Sequence, residues 1–532
     1  MFFILLLTTA LAIALVYQWR ARQSLPKGPV PLPIIGNLHQ LSYYTWKLGG
    51  VVPAYHQFEE QFGKVFALWI GPLPTVYISD YDVAYETHVK RANVFGARFA
   101  VGALNYIREG RGIIASNGEF WQEHRRFALQ TLRNFGLGRN LMEEKIMEEY
   151  KYRFSDFSQS NNNKGPIEVS SSMFFDLLIG SIINQLLISE RFEQNDPEFE
   201  KLKESLAVGL EKFGVLDTFL PDWVMNAWWM RWRMDDILEP FRWIHQLSQR
   251  NIQKRLAQIA SGEHVIDGDG NDFMDAYLNK IEKDSREGTK STFNIENLAI
   301  DLYDLWIAGQ ETTSTTLSWA CACLLNHPEV VAKVREELVH LTGGHRSVSL
   351  TDKTKTPYLN ATVNEVQRIA SILNVNIFRQ VTENTEVDGQ PISAGTAITT
   401  HLALIHTDEK LFENHTEFRP QRFLENEGLD KKLIPFGIGK RSCLGESLAR
   451  AELYLILANM ILEYDLEAVG EMPSIKTTSP CGLMKRPPVY SLRFVPVHHS
   501  YHSRICRCVS IRMDGRRNDE KIGDSAEAKS GT

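Results

Sequence analysis

The eleven residues Pro435-Phe436-Gly437-Ile438-Gly439-Lys440-Arg441-Ser442-Cys443-Leu444-Gly445 constrain this chain more than any other stretch. Two glycines precede the cysteine, one follows it, and helix-forming sequence (ESLARAELYLILANMIL) begins immediately downstream. Glycines let the backbone turn tightly and pass close to a flat partner. A thiolate at a loop-to-helix junction gains from the positive end of the helix and from amide donors, which lower its pKa and moderate its donation to iron. Arg441 offers a cation to a carboxylate on that partner, and Phe436 can shield the sulfur from water. A cysteine taken alone is more often a small buried hydrophobe; the neighbours of Cys443 point to a ligand.

The rest of the composition fits a large globular protein. Among 532 residues, 58 Lys+Arg oppose 65 Asp+Glu for a net charge of −7, which argues against a nucleic-acid binder. With 43% hydrophobic and 23% charged residues there is ample apolar surface for one core. Six cysteines are far too few for an extracellular disulfide scaffold, so the bulk is expected in a reducing compartment.

The uncharged run from Phe2 to Trp19 reaches about 27 Å as a helix, enough for one membrane crossing. No Lys or Arg precedes it, whereas Arg20, Arg22 and Lys27 follow, so residues 1–19 read as a retained anchor with everything beyond in the cytosol. Residues 20–40 contain PKGPVPLP, a stiff proline-rich linker. Residues 41–497 read as one mainly α domain: helical periodicity runs through 119–135, 139–158, 168–189, 240–260, 296–326, 327–342, 358–372 and 444–463. Strand-like runs at 64–70, 74–79, 397–400 and 489–496 predict a minor β-sheet. Residues 498–532 read as a disordered tail.

The pattern F-x-x-G-x-R-x-C-x-G at Phe436, Gly439, Arg441, Cys443 and Gly445 resembles the haem-thiolate signature of the cytochrome P-450 superfamily. Three further motifs occur in the order that family requires. Trp121-Gln122-Glu123-His124-Arg125 places a Trp and an Arg on one helix face; the resemblance implies that Trp121 and Arg125 hold a haem propionate, with Arg379 as a second propionate partner. Glu365-Val366-Gln367-Arg368, with Arg422, matches the family's structural Glu-Arg-Arg triad. Ala308-Gly309-Gln310-Glu311-Thr312-Thr313 puts a glycine and polar groups inside an apolar helix, where they are poor core fillers. The resemblance assigns Ala308 and Gly309 to open space for dioxygen, and Glu311 and Thr312 to proton delivery. Phrases such as DFMDAYL and DLWIAGQETTSTTL are similar to animal microsomal drug- and lipid-oxidising members, nematode ones in particular.

That resemblance implies the cytochrome P-450 fold, a haem b cofactor (iron protoporphyrin IX) with Cys443 as proximal iron ligand, and monooxygenation of small lipophilic substrates such as xenobiotics, fatty acids or steroids. O2 is the co-substrate and NADPH supplies electrons through a flavoprotein reductase, with a b-type cytochrome as a further partner; the location implied is the endoplasmic reticulum membrane. Arg126, Arg133, Arg139 and Lys440 are candidates for a basic docking patch for the acidic reductase. Phe99, Ala103, Ile113, Leu305, Ala308, Val375 and Leu483 fall in segments that line the substrate pocket, where Asn374 and Asn376 replace prolines found in many relatives. Trp223, Trp228, Trp229 and Trp232, interleaved with Arg231 and Arg233, suit a lipid interface. The competing readings are a haem sensor or carrier without turnover, and a peroxide isomerase on the same fold that needs no reductase.

Overall fold

A computed structural model of the chain describes residues 2–99, 102–134, 141–160, 165–212, 217, 220, 222–476 and 484–497. The tail after 497, Arg139 and Leu483 lie outside those residues. The body is mainly helical with three small sheets.

Its centre is the 32-residue helix Ile295–Asn326, whose entry is capped by the Asn294 side chain accepting from the Asn297 N–H. An Asn here satisfies one of the free amides at a helix start. This helix packs along Ser171–Ile188, and glycines let the two approach closely. A Cβ on Gly180 would lie 2.4 Å from Gln310 Nε2, and one on Gly309 would lie 2.9 Å from Ile183 Cδ1. The helices Glu446–Glu463, Pro357–Ala370 and Arg231–Ser261 complete the main hydrophobic core around it.

The largest sheet joins residues far apart in sequence. In order across it stand Val65–Ile70, Leu73–Ile78, Ala397–Thr400, Arg379–Gln380 and Ala97–Arg98. Leu73–Ile78 pairs in parallel with Ala397–Thr400, and the other neighbours are antiparallel. The last pairing sets Arg98 directly opposite Arg379.

At the N-terminus a helix runs from Phe2 to Arg22 and exposes Phe2, Leu5, Ile13 and Trp19. The proline-rich stretch after it is no free spacer. Lys27 O accepts from the Ala67 N–H at 2.9 Å, Asn37 Oδ1 accepts from the Trp69 N–H at 2.7 Å, and a Cβ on Gly28 would strike Ala67 O. It is laid along the edge of the large sheet because its own backbone groups find partners there. Among the described residues, the helix Ser171–Ile188 is long and apolar enough to cross a membrane, and it is 78% buried in the body, a core helix. The helix expected over 240–260 starts earlier, at Arg231, and carries Pro240 within it.

Candidate haem-thiolate site

Cys443 sits between a tight turn, Gly439–Arg441, and the helix Glu446–Glu463. Gly437 and Gly439 have φ of 67° and 76°, the left-handed region where glycine alone is unstrained. A Cβ on Gly439 would lie 2.0 Å from the main-chain oxygen of His88, so this turn and the Glu86–Lys90 turn press backbone to backbone. The Cys443 N–H donates to Phe436 O at 2.9 Å, which closes the loop around the sulfur. Cys443 keeps accessible surface, yet desolvation is the largest influence on its thiol. Burial pushes the thiol up, while the N–H groups of Gly445 and Glu446 and the charge of Arg125 pull it down. In this structure burial prevails over the amide donors that the sequence suggested would lower it. Phe436 is half-buried, with the Arg450 guanidinium 4.9 Å above its ring.

Four arginines converge beside this loop. Arg125, on the helix Gly118–Leu132, donates to Ser442 O at 2.7 Å; Arg379 donates to Ile438 O at 2.7 Å. Arg441 donates to Gly96 O, Ser116 O and Asn117 Oδ1, and lies 3.6 Å from the Trp121 ring centre. Arg98 donates to Ile114 O and Ile377 O. No carboxylate pairs with any of the four among the described residues. Burial and mutual repulsion hold their pKa values down: Arg441 to about 9 with Arg379 and Arg125 adding to burial, Arg379 to about 10 by burial, Arg125 and Arg98 in the same direction. An arginine does not give up its proton in a protein, so the four side chains form an electropositive cage. Three buried donors around it have no partner: Trp121 Nε1, Arg379 Nη1 and Arg441 Nη1. Orphaned N–H groups cost free energy that a bound carboxylate removes. The donor set, one thiol and a cage for two carboxylates, fits haem.

Arg98 is the member that sequence reading missed. Nothing in its local sequence marks it; only its register opposite Arg379 does.

On the long helix, Ala308 is exposed and Leu305 and Thr312 are half-buried, an accessible stripe at i, i+3 and i+7 on an otherwise buried element. Thr312 donates to Ala308 O at 3.0 Å. Gly309 is half-buried, and a Cβ on it would meet Ile183, so its missing side chain also permits helix packing. The Glu311 carboxylate is held in ion pairs with Lys203 and, at 3.2 Å, Arg486; Lys203 also contacts Asp176 at 3.0 Å.

Glu365, Arg368 and Arg422 form a buried unit. Arg368 Nε lies 2.8 Å and Arg422 Nε 3.1 Å from the Glu365 carboxylate, and the remaining guanidinium donors reach main-chain oxygens of residues 406–417. Of the pocket candidates, Phe99 and Val375 pack in one apolar cluster with Phe378, while Ile113 and Leu305 belong to the main core. Ala103 opens the short helix Ala103–Tyr106. Asn376 Nδ2 lies 2.4 Å from the place a Gly437 Cβ would take, so this amide abuts the cysteine loop. A cleft of about 460 Å³ lined by Trp121, Arg125, Arg126, Leu129 and Arg133 opens beside the helix Gly118–Leu132, and none of those pocket candidates lines it.

The cytochrome P450 family model matches residues 26–494. A "probable cytochrome P450 cyp-35D1" of Caenorhabditis elegans is 37% identical over 495 residues, covering 92% of this chain and 98% of that protein. Cytochrome P450 2C8 of Homo sapiens is 33% identical over 503 residues (93% and 99%), and cytochrome P450 2C20 of Macaca fascicularis 32% over 505 (93% and 99%). With a thiol at a loop-to-helix junction, a cage for carboxylates and this similarity along nearly its full length, the chain belongs to the cytochrome P450 family, monooxygenase oxidoreductases that use haem iron and O2.

Proposed function

We propose that the protein is a single-pass enzyme of the endoplasmic reticulum membrane, its catalytic body in the cytosol, that inserts one oxygen atom of O2 into small lipophilic molecules by hydroxylation or epoxidation. The observation that carries the site is the carboxylate-free arginine cage beside Cys443. Haem b, when bound, supplies oxygen activation and electron transfer, with the Cys443 sulfur as its proximal ligand. Arg98, Arg125, Arg379, Arg441 and Trp121 hold its propionates. Phe436 and the backbone amides at Gly445 and Glu446 tune the sulfur by excluding water and donating toward it.

Thr312 holds a proton at its hydroxyl on the accessible stripe beside Ala308, and Glu311, paired with Lys203 and Arg486, relays protons to it from the charged side. Phe99, Ile113, Leu305 and Val375 supply an apolar wall for substrate. Electrons come from an NADPH-dependent flavoprotein reductase, with a b-type cytochrome as second donor. Arg126 and Arg133, both exposed beside the 460 Å³ cleft, and exposed Lys440 supply the basic surface on which an acidic partner docks. The helix Phe2–Arg22 is the anchor, and the exposed Trp223, Trp228, Trp229 and Trp232 form a second contact with lipid, through which lipophilic substrates enter.

The test uses the full chain reconstituted in vesicles with the reductase, NADPH and a panel of lipophilic compounds under 18O2. A product carrying one 18O atom, dependent on NADPH and reductase, is the expected result. Products formed without NADPH, or label drawn only from water, would overturn the assignment.

A further inference from the structure

His88 is 1% exposed, and neither ring nitrogen has a hydrogen-bond partner. It lies in the turn Glu86–Lys90, whose backbone is pressed against Gly439 at the start of the turn that carries Arg441. Phe95 stands edge-on to its ring at 6.2 Å. Burial, then the charges of Arg379 and Arg98, hold the imidazole neutral. A neutral imidazole has one N–H donor and one acceptor, and burying both unpaired costs free energy that an aliphatic side chain of similar size would not incur. Its charged neighbours are arginines, which donate and cannot accept.

We propose that His88 is a further ligand of the bound propionates, a neutral ring that donates its N–H to a carboxylate held by the arginine cage. This rests on the haem reading of that cage. Two propionates offer four oxygens with about eight lone-pair sites, enough for Trp121 Nε1, Arg379 Nη1, Arg441 Nη1 and the imidazole together. A neutral donor adds a hydrogen bond there without adding a fifth positive charge.

The experiment compares the full-length holoprotein with His88→Leu and His88→Gln, and with His88→Phe should leucine prevent folding. The readouts are the haem-propionate bending band in resonance Raman and the rate of haem transfer to apomyoglobin. Leucine or phenylalanine is expected to shift the band and to raise the transfer rate about tenfold, as for loss of a hydrogen bond to a charged group. Glutamine, which can still donate, is expected to restore both. A band and rate unchanged in the leucine and phenylalanine variants overturn the proposal, as does glutamine behaving like leucine. Failure of the unmodified chain to take up haem is a separate result, visible before any variant is compared, and overturns the haem reading itself.

Discussion

Arg98 and Arg379 face one another across an antiparallel strand pair while 6% and 1% exposed. Like charges directly opposite in a sheet repel, and a buried cation without a partner costs several kcal/mol. A bound anion offsets that cost. On the proposed haem reading, the cage is a stability cost that the cofactor removes.

Arg379→Leu should separate these two effects. The haem-free variant is expected to melt no lower than the unmodified haem-free protein, since one of two opposed charges is gone. Haem affinity is expected to fall at least about tenfold, the worth of a charge-assisted contact. Melting curves with and without haem check this; an equal drop in both forms contradicts it.

Arg108 and Asp304 tie the segment before the Gly118–Leu132 helix to the central helix. Arg108 Nε lies 2.6 Å from Asp304 Oδ1, and the N–H groups of Ile113 and Ile114 both donate to Oδ2 at 2.8 Å. Asp304→Ala leaves the Arg108 charge buried and two amides unpaired, a loss of about 3–5 kcal/mol. Hydrogen exchange at Ile113 and Ile114 should rise sharply, with a smaller rise for Asp304→Asn. Unchanged exchange would refute the tie.

Glu452, on the helix that follows Cys443, is 1% exposed and its Oε1 has no partner. Burial raises its carboxyl from 4.5 to about 8, with the Thr313 hydroxyl opposing. The folded chain keeps this proton up to about pH 8 whereas the unfolded chain loses it near 4.5, so the folded state holds more protons in between. Its contribution to stability falls as pH rises through that window, and above pH 8 the charged form costs a few kcal/mol, about 1.4 per pKa unit as an upper bound. Glu452→Gln should flatten the fall in melting temperature between pH 6 and 9 by that part. An unchanged slope contradicts the buried neutral acid.

Trp223, Trp228, Trp229 and Trp232 are 71%, 84%, 50% and 71% exposed. Apolar surface of that extent on a soluble face marks a contact. Vesicles with brominated lipid should quench the full-length protein's fluorescence, and replacing the four with Phe should remove their share. Quenching that is the same in both proteins refutes contact at these residues.

Much of the candidate site was legible in sequence because it is local. Cys443, Phe436 and Arg441 share one loop, and Trp121 with Arg125, or Glu365 with Arg368, share one helix turn. Arg98 and His88 were not legible, since their meaning comes from Arg379 and Gly439, residues that only the folded sheet and the packed turns bring near. The partners of Glu311 escaped for the same reason: Lys203 and Arg486 lie 108 and 175 positions away. The four strands expected in the fold were legible by their apolar runs, but not the parallel pairing of Leu73–Ile78 with Ala397–Thr400. The helix expected from periodicity over 240–260 begins at Arg231 and carries Pro240 within it, where a proline normally ends a helix.

The central claim is that Cys443 donates as a thiolate to haem iron seated against the arginine cage. The most direct measurement is the carbon monoxide difference spectrum of the reduced full-length holoprotein beside Cys443→Ser. The account predicts a strongly red-shifted Soret band that disappears in the serine variant. A shorter-wavelength band, typical of a neutral proximal ligand, in well-folded unmodified protein would contradict it.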